Sequence, residues 1–137
     1  MKVYLAGKIE DLPFSEATEW RQRAKRYLED YGIEHYDPTK HAMEYLFGGV
    51  ITGRSTERDG KIFTQDIHHI YSSDVILVRL NEGTPGTLIE LGMAYCLQIP
   101  VVAFDTSSDL RSHPFIQGTV DVFCANLEEA LDYIVNL

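Results

Sequence analysis

Short apolar runs alternate along this chain with longer stretches in which apolar residues return every three or four positions. The first run, Lys2–Ala6 (K-V-Y-L-A), is β-prone and stops at Gly7, which predicts a strand and then a loop over Gly7–Pro13. Ala17, Trp20, Ala24, Tyr27, Leu28 and Tyr31 recur at helical spacing. Ser15 is the expected N-cap of that helix, Glu16 and Glu19 sit in its first turn, and Gly32 ends it. Arg21, Arg23, Lys25 and Arg26 fall mostly on the other side and read as a solvated face. Ile33–Tyr36 is a second strand, closed by Asp37-Pro38.

Regularity fades from Thr39 to Asp59, where Gly48, Gly49 and Gly53 interrupt the apolar Met43, Tyr45, Leu46 and Phe47. A loop of that length is uncommon in a small domain unless it covers something. A partly helical lid is expected, with an ordinary surface excursion as the alternative. In the next helix, Lys61–Ser73, the stripe Ile62, Asp66, Ile70 lies beside Phe63, Ile67 and Tyr71, while Gln65, His68, His69 and Ser72 take the wetter side. Asp74–Leu80 reads as a strand buried on both faces, Asn81–Gly86 as a turn, Thr87–Gln98 as a mostly buried helix and Pro100–Phe104 as a strand. A polar loop, Asp105–His113, and a short turn or helix, Pro114–Gly118, precede the last strand, Val120–Cys124. Asn126 caps the final helix, with Glu129 at the capping-box position. This alternation predicts an α/β chain forming a single domain over residues 1–137. Its arrangement is a flavodoxin-like three-layer fold: a five-stranded parallel sheet of order 2-1-3-4-5 with helices on both faces.

Composition narrows the partners. The 137 residues are 45% hydrophobic and 24% charged, with a formal net charge of -9. That balance excludes a protein that coats a nucleic-acid polymer, because phosphate-backbone binding needs clustered Lys and Arg. The apolar run Leu88–Phe104 is broken by Glu90, Gly92, Gln98 and Pro100, so no membrane span is expected. Cys96 and Cys124 lack C-x-x-C spacing and no signal peptide precedes Val3, which fits two small buried thiols in a reducing cytoplasm. The five histidines show no zinc-ligand spacing.

Two carboxylates stand out. Glu90 is the only charge between Glu82 and Phe104, and Asp66 lies on an apolar stripe, where a lone carboxylate needs partners or a task. Ligands of open α/β sheets bind beyond the carboxyl ends of the strands, near the switch point between strands one and three. The segments Tyr4–Glu10 and Asn81–Gly86 meet there, just ahead of the helix that carries Glu90. One reading of Glu90 is structural: Thr87-Leu88-Ile89-Glu90 fits a T-x-x-E capping box. The other is chemical, since paired carboxylates suit cleavage of a glycosidic bond, one as nucleophile and one as proton handler or substrate holder. Gly83-Thr84-Pro85-Gly86 either presents amides to a phosphate or simply makes the turn; it matches no Walker or G-x-G-x-x-G pattern. The turn Gly7-Lys8-Ile9-Glu10 lacks the Ser/Thr-rich loop that flavin mononucleotide normally requires.

Val3-Tyr4-Leu5-Ala6-Gly7, Gln65-Asp66-Ile67 before Asp74-Val75-Ile76-Leu77, and Gly86-Thr87-x-x-Glu90-Leu91-Gly92-x-Ala94 followed by Pro100-Val101 form an ordered set. Together they resemble the nucleoside 2-deoxyribosyltransferase family, whose superfamily includes the 2'-deoxynucleoside 5'-monophosphate N-hydrolases. The resemblance implies that Glu90 is a nucleophile attacking C1' of the sugar, that Asp66 holds sugar and nucleophile in place, and that Tyr4 lies near the nucleophile. It implies a pocket wall at Gly7 and substrate contacts at Thr84 and Gly86, with no metal or organic cofactor. The implied partners are a deoxynucleoside or deoxynucleotide and a nucleobase, together with a second copy of the chain in a homo-oligomer. Tyr45 and Phe47 would serve a subunit contact or base stacking.

Two positions depart from the transferase pattern. The transferases carry a carboxylate linked to base recognition six residues before the nucleophile, where this chain has Thr84; the nucleotide hydrolases have a hydroxyl there. Lys8 would then supply a cation to a 5'-phosphate, or is a surface lysine. His113 falls where the family offers Asn or Ser to a neighbouring subunit's site. Transfer to a second base and hydrolysis by water both remain open. A nucleotide-binding or sensing module without turnover, and a plain interaction domain, are the readings of other classes.

Overall fold

The computed structural model describes residues 1–40, the backbone of 46–47 and 50–51, and residues 56–137, with side chains from 62 onward in the last stretch. Five parallel strands form the sheet: β1 (Lys2–Gly7), β2 (Glu34–Tyr36), β5 (Val75–Arg79), β6 (Val101–Phe104) and β7 (Val122–Cys124), in the order β2-β1-β5-β6-β7. Counted among themselves the strands run 2-1-3-4-5, as expected. β3 (Leu46–Phe47) and β4 (Val50–Ile51) form a separate two-stranded antiparallel pair. The lid expected over Thr39–Asp59, including the Tyr45 and Phe47 side chains, lies mostly outside the described residues.

Strand alternation sends successive side chains to opposite faces and builds two cores. Val3, Leu5, Val75, Leu77, Val102 and Phe104 face α1 (Phe14–Asp30) and α6 (Leu127–Val135), packing on Trp20, Ala24, Leu28, Leu131 and Ile134. Tyr4, Ala6, Ile76, Val78 and Ala103 face the other way, toward Ile70 of α2 (Thr56–Tyr71), Leu91 and Ala94 of α3 (Pro85–Cys96) and Ile116 of α5 (Pro114–Thr119). β1 and β5 are therefore apolar on both faces, as strands covered by helices must be.

Caps explain most of the boundaries. Gly32 has φ 68, and the Ile33 N–H donates to the Leu28 carbonyl at 3.0 Å, closing α1. Asn126 accepts from the Glu129 N–H at 2.9 Å, and Glu129 accepts from the Ala125 N–H at 2.6 Å. Elsewhere the sequence reading needs correction. α1 starts at Phe14 with Pro13 at its N-cap, so Ser15 is already inside the helix. The polar loop contains α4 (Ser108–Ser112), nucleated where the Ser107 side chain accepts from the Leu110 N–H. Cys124 is buried, but Cys96 is exposed.

The largest correction is Arg21. It does not belong to a solvated face: its side chain is 0% exposed. Arg23 and Arg26 are exposed as expected, and Lys25 is half-buried against Asp37 at 2.8 Å. α3 departs from expectation the other way. Thr87, Leu91 and Ala94 are buried, while Leu88, Ile89 and Tyr95 leave its outer side apolar and exposed. Among the described residues no helix is long and apolar enough to cross a membrane.

Candidate active site

The carboxyl ends of β1 and β5 bring three side chains together. Tyr4 comes from the middle of β1, Asp66 from α2 and Glu90 from the second turn of α3. Tyr4 is fully buried beneath the site and stacks on Tyr36 with ring centroids 5.4 Å apart. Tyr36 in turn donates its hydroxyl to Asp66 Oδ1 at 2.8 Å, so Asp66 is held from below by an aromatic pair. The His69 ring stacks on Tyr36 at 3.8 Å, which takes it off the wet side where its spacing had placed it.

Glu90 is not a cap. α3 begins at Pro85, with Thr84 as the N-cap residue, because proline at N1 is pre-organised for a helix start. Thr87 therefore lies inside the first turn, where it is buried and receives a hydrogen bond from the Thr84 hydroxyl at 3.0 Å. Glu90 falls one turn further in, on the side shared with Thr87, Leu91 and Ala94, and is partly buried. No cap role is left for it.

Its electrostatics are unusual for a glutamate. Desolvation raises its pKa from 4.5 to about 7; Tyr4 and Arg21 oppose that rise, and the charge of Asp66 adds to it. The Tyr4 hydroxyl comes close enough to favour the ionised carboxylate, though not in the geometry of a full hydrogen bond, and it is otherwise without a partner. Burial and the two carboxylates push the Tyr4 phenol far above its ordinary value, so it stays a proton donor. A carboxylate that titrates near neutrality beside a second carboxylate and a buried phenol can act as a nucleophile or exchange a proton.

The remaining candidates are placed as follows. Gly7 ends β1 at φ 152, and a Cβ there would meet Trp20 at 3.3 Å and the Arg79 carbonyl at 3.4 Å, so glycine is required at this wall. Lys8 is ion-paired with Glu82, joining the loop after β1 to the loop after β5. Thr84 is half-buried at the start of α3, and Gly86, next along, is exposed. His113 is not brought to the carboxylates. It is exposed and caps α5, its Nδ1 accepting from the Phe115 N–H at 3.2 Å. Sequence reasoning missed Tyr36 and Arg21; the only local hint for Arg21 was its place beside the inward-facing Trp20.

Residues 3–130 match the family model described as nucleoside 2-deoxyribosyltransferase. No curated protein matches the sequence. Among solved structures the chain is similar to the 2-deoxyribosyltransferase of the psychrotolerant bacterium Bacillus psychrosaccharolyticus, with 23% identity and a TM-score of 0.73 over 97% of this chain and 92% of that one. It is also similar to a conserved protein of Enterococcus faecalis V583, with 18% identity and a TM-score of 0.64 over 99% and 98% of the two chains. For the CMP N-glycosidase of Clostridium botulinum the values are 17%, 0.62, 98% and 97%. At these identities the structural likeness concerns the fold.

Proposed function

The chain belongs to the nucleoside 2-deoxyribosyltransferase family, and from that premise we propose that it cleaves the N-glycosidic bond of 2'-deoxyribonucleosides or their 5'-monophosphates. The observation that carries the reading is the meeting of Glu90, Asp66 and Tyr4 at the carboxyl ends of β1 and β5, with Glu90 freed from any cap role. In the first step an ionised Glu90 oxygen bonds to C1', the C1'–N bond breaks, and its electron pair leaves with the base, which takes up a proton. In the second step the nitrogen of another base bonds to C1' and gives up its proton, which balances the one taken up by the departing base, while the Glu90–sugar ester bond breaks and the carboxylate is regenerated. Two displacements at one carbon retain its configuration. Asp66, held by Tyr36, orients the sugar and the nucleophile; Tyr4 favours the ionised form of Glu90.

Hydrolysis, with water as the second acceptor and a nucleoside 5'-monophosphate as substrate, is the second reading, and Thr84 favours it. A hydroxyl rather than a carboxylate stands at the mouth of α3, and Lys8 lies across from it in the loop after β1, paired with Glu82. A phosphate would have to displace Glu82 from Lys8. In either case the whole chain acts as one catalytic domain in the cytoplasm, without a metal or organic cofactor. The reading includes self-association with a second copy, for which the exposed apolar side of α3 and Phe115 offer a surface. His113, beside Phe115, would reach a site only through such a partner.

The deciding experiment supplies a deoxynucleoside, or its 5'-monophosphate, with a second free base. Base exchange supports transfer. Release of deoxyribose or its 5-phosphate supports hydrolysis. Wild-type protein that binds the nucleotide and never releases base would make it a binding module and sink the enzyme reading.

A further inference from the structure

Arg21 is a fully buried charged side chain with three backbone carbonyl partners. Its Nε donates to the Leu5 carbonyl at 3.2 Å and its Nη2 to the Gly7 carbonyl at 3.0 Å, while Nη1 donates to the Ala17 carbonyl of its own helix at 2.5 Å. The reason for this arrangement lies in the sheet. β2 is short and pairs with β1 only from Lys2 to Tyr4. Beyond Tyr4, no strand among the described residues pairs with the outer edge of β1, while β5 pairs with the other edge as far as Gly7. Leu5 and Gly7 are alternate residues, so their carbonyls point to that one open edge, and buried carbonyls left unpaired there would be costly. The guanidinium fork spans both.

The same side chain has electrostatic neighbours. Asp37, just past β2, lies 3.7 Å from Nε and is itself held by Lys25 and Thr39. Tyr4 and Arg79 act on Arg21 from β1 and β5, and Glu90 acts on it from α3. Despite its burial, Arg21 stays charged at neutral pH, its pKa lowered only to about 10. Glu90 in turn is acted on by Tyr4 from β1, Asp66 from α2 and Arg21 from α1.

We propose that Arg21 is a positioning residue for Glu90: its guanidinium stands in for the missing length of β2, fixes the carboxyl end of the strand that carries Tyr4, and places a permanent positive charge within range of the Glu90 carboxylate. A methionine side chain could do none of this, an amide would bring no charge, and lysine could not bridge two carbonyls with a planar fork. The inference rests on the proposed role of Glu90, yet it is read on the Glu90 carboxyl itself, with no substrate present.

The test is a carbon-13 NMR titration of protein labelled at the glutamate carboxyl carbon, with the Glu90 signal assigned by its loss in Glu90→Gln. In Arg21→Met the Glu90 midpoint should rise by about a third of a pH unit, and Arg21→Lys should recover most of that shift. Asp37→Asn leaves the Arg21 charge uncompensated and should move the midpoint down. A folded Arg21→Met protein with a lower Tm and an unmoved Glu90 midpoint would reduce Arg21 to a structural tie and overturn the proposal. Should Arg21→Met not fold, Asp37→Asn decides: a lowered midpoint upholds the proposal and an unmoved one overturns it. If the midpoints move as stated while wild-type protein never turns over a deoxynucleoside or deoxynucleotide, Arg21 keeps its role and the proposed activity is what fails.

Discussion

Asn126-x-x-Glu129 and Thr87-x-x-Glu90 carry the same capping-box signature, and the molecule treats them in opposite ways. At α6 the box closes: Asn126 takes the Glu129 N–H, and Glu129 reaches back to the Ala125 N–H in the open. At α3 the box never forms, because Pro85 starts the helix earlier and carries Glu90 a turn inside it. The difference teaches that a cap motif is a competition for the first turn, and that a stronger start signal upstream can free the glutamate. A freed glutamate facing the sheet must then be charged at a cost, or used.

The sharpest break of the comparison is in turnover. Glu90→Gln should lower base release at least about 10³-fold while the fold is kept, as expected for loss of a nucleophile. Glu129→Gln should leave base release within about two-fold. Chromatographic assay of free base from a deoxynucleoside or its 5'-monophosphate checks both. Equal losses in the two variants would end the distinction.

Stability should also set Glu90 apart. Because the folded pKa of Glu90 is raised from 4.5 to about 7, the native state holds a proton more tightly than the unfolded chain in that window. The contribution of Glu90 to stability is therefore highest below the ordinary carboxylate value and is lost as pH rises through about 7. Glu90→Gln removes that penalty. It should gain on the order of 2 kcal/mol over wild type at pH 8 and almost nothing at pH 4, measured by denaturant unfolding at the two pH values. Activity should run the other way: wild-type kcat/KM should climb through about pH 7 as Glu90 ionises.

A smaller contrast concerns the true cap. Asn126→Ala should cost about 1 kcal/mol with kcat and KM unmoved, because the lost acceptor strands an N–H at the start of α6. Thr87→Val, on the false cap, removes a hydroxyl that serves only the contact with Thr84, so its cost should be smaller and independent of pH. Thermal unfolding across pH distinguishes the two. A large loss from Thr87→Val would restore a capping role to that residue.

Much of the fold was legible because its signals are local. Gly7 and Gly32 stop their elements, Asn126 and Glu129 mark a helix start, and β1 and β5 are continuous apolar runs. Asp66 could be placed by helical period alone, and Glu90 by its isolation. The rest depends on what lies beside a residue in space. Arg21 is buried because β2 is too short to cover β1, and no pattern within α1 contains that fact. His69 is half-buried because its ring stacks on Tyr36. The outer side of α3 is apolar yet exposed, and apolar sequence reads the same whether it faces a core or a surface for another chain. The Pro13 and Pro85 signals were local and misread: each proline starts its helix earlier than the hydroxyl residue that follows it.

The finest test of the comparison is Tyr4, which touches the freed glutamate and has no counterpart at Glu129. Its buried hydroxyl makes no full hydrogen bond, so Tyr4→Phe removes an unsatisfied group and should leave stability unchanged or slightly improved. The same change removes one of the two influences that favour ionised Glu90, the other being Arg21. The acid limb of kcat/KM should therefore move up by about half a pH unit, with activity well above that limb falling no more than about ten-fold. A hydroxyl present only for packing would give the reverse, lost stability with an unmoved limb. A limb that moves in a protein of undiminished Tm places Tyr4 with Glu90 in the chemistry, where a capping glutamate such as Glu129 needs no such neighbour.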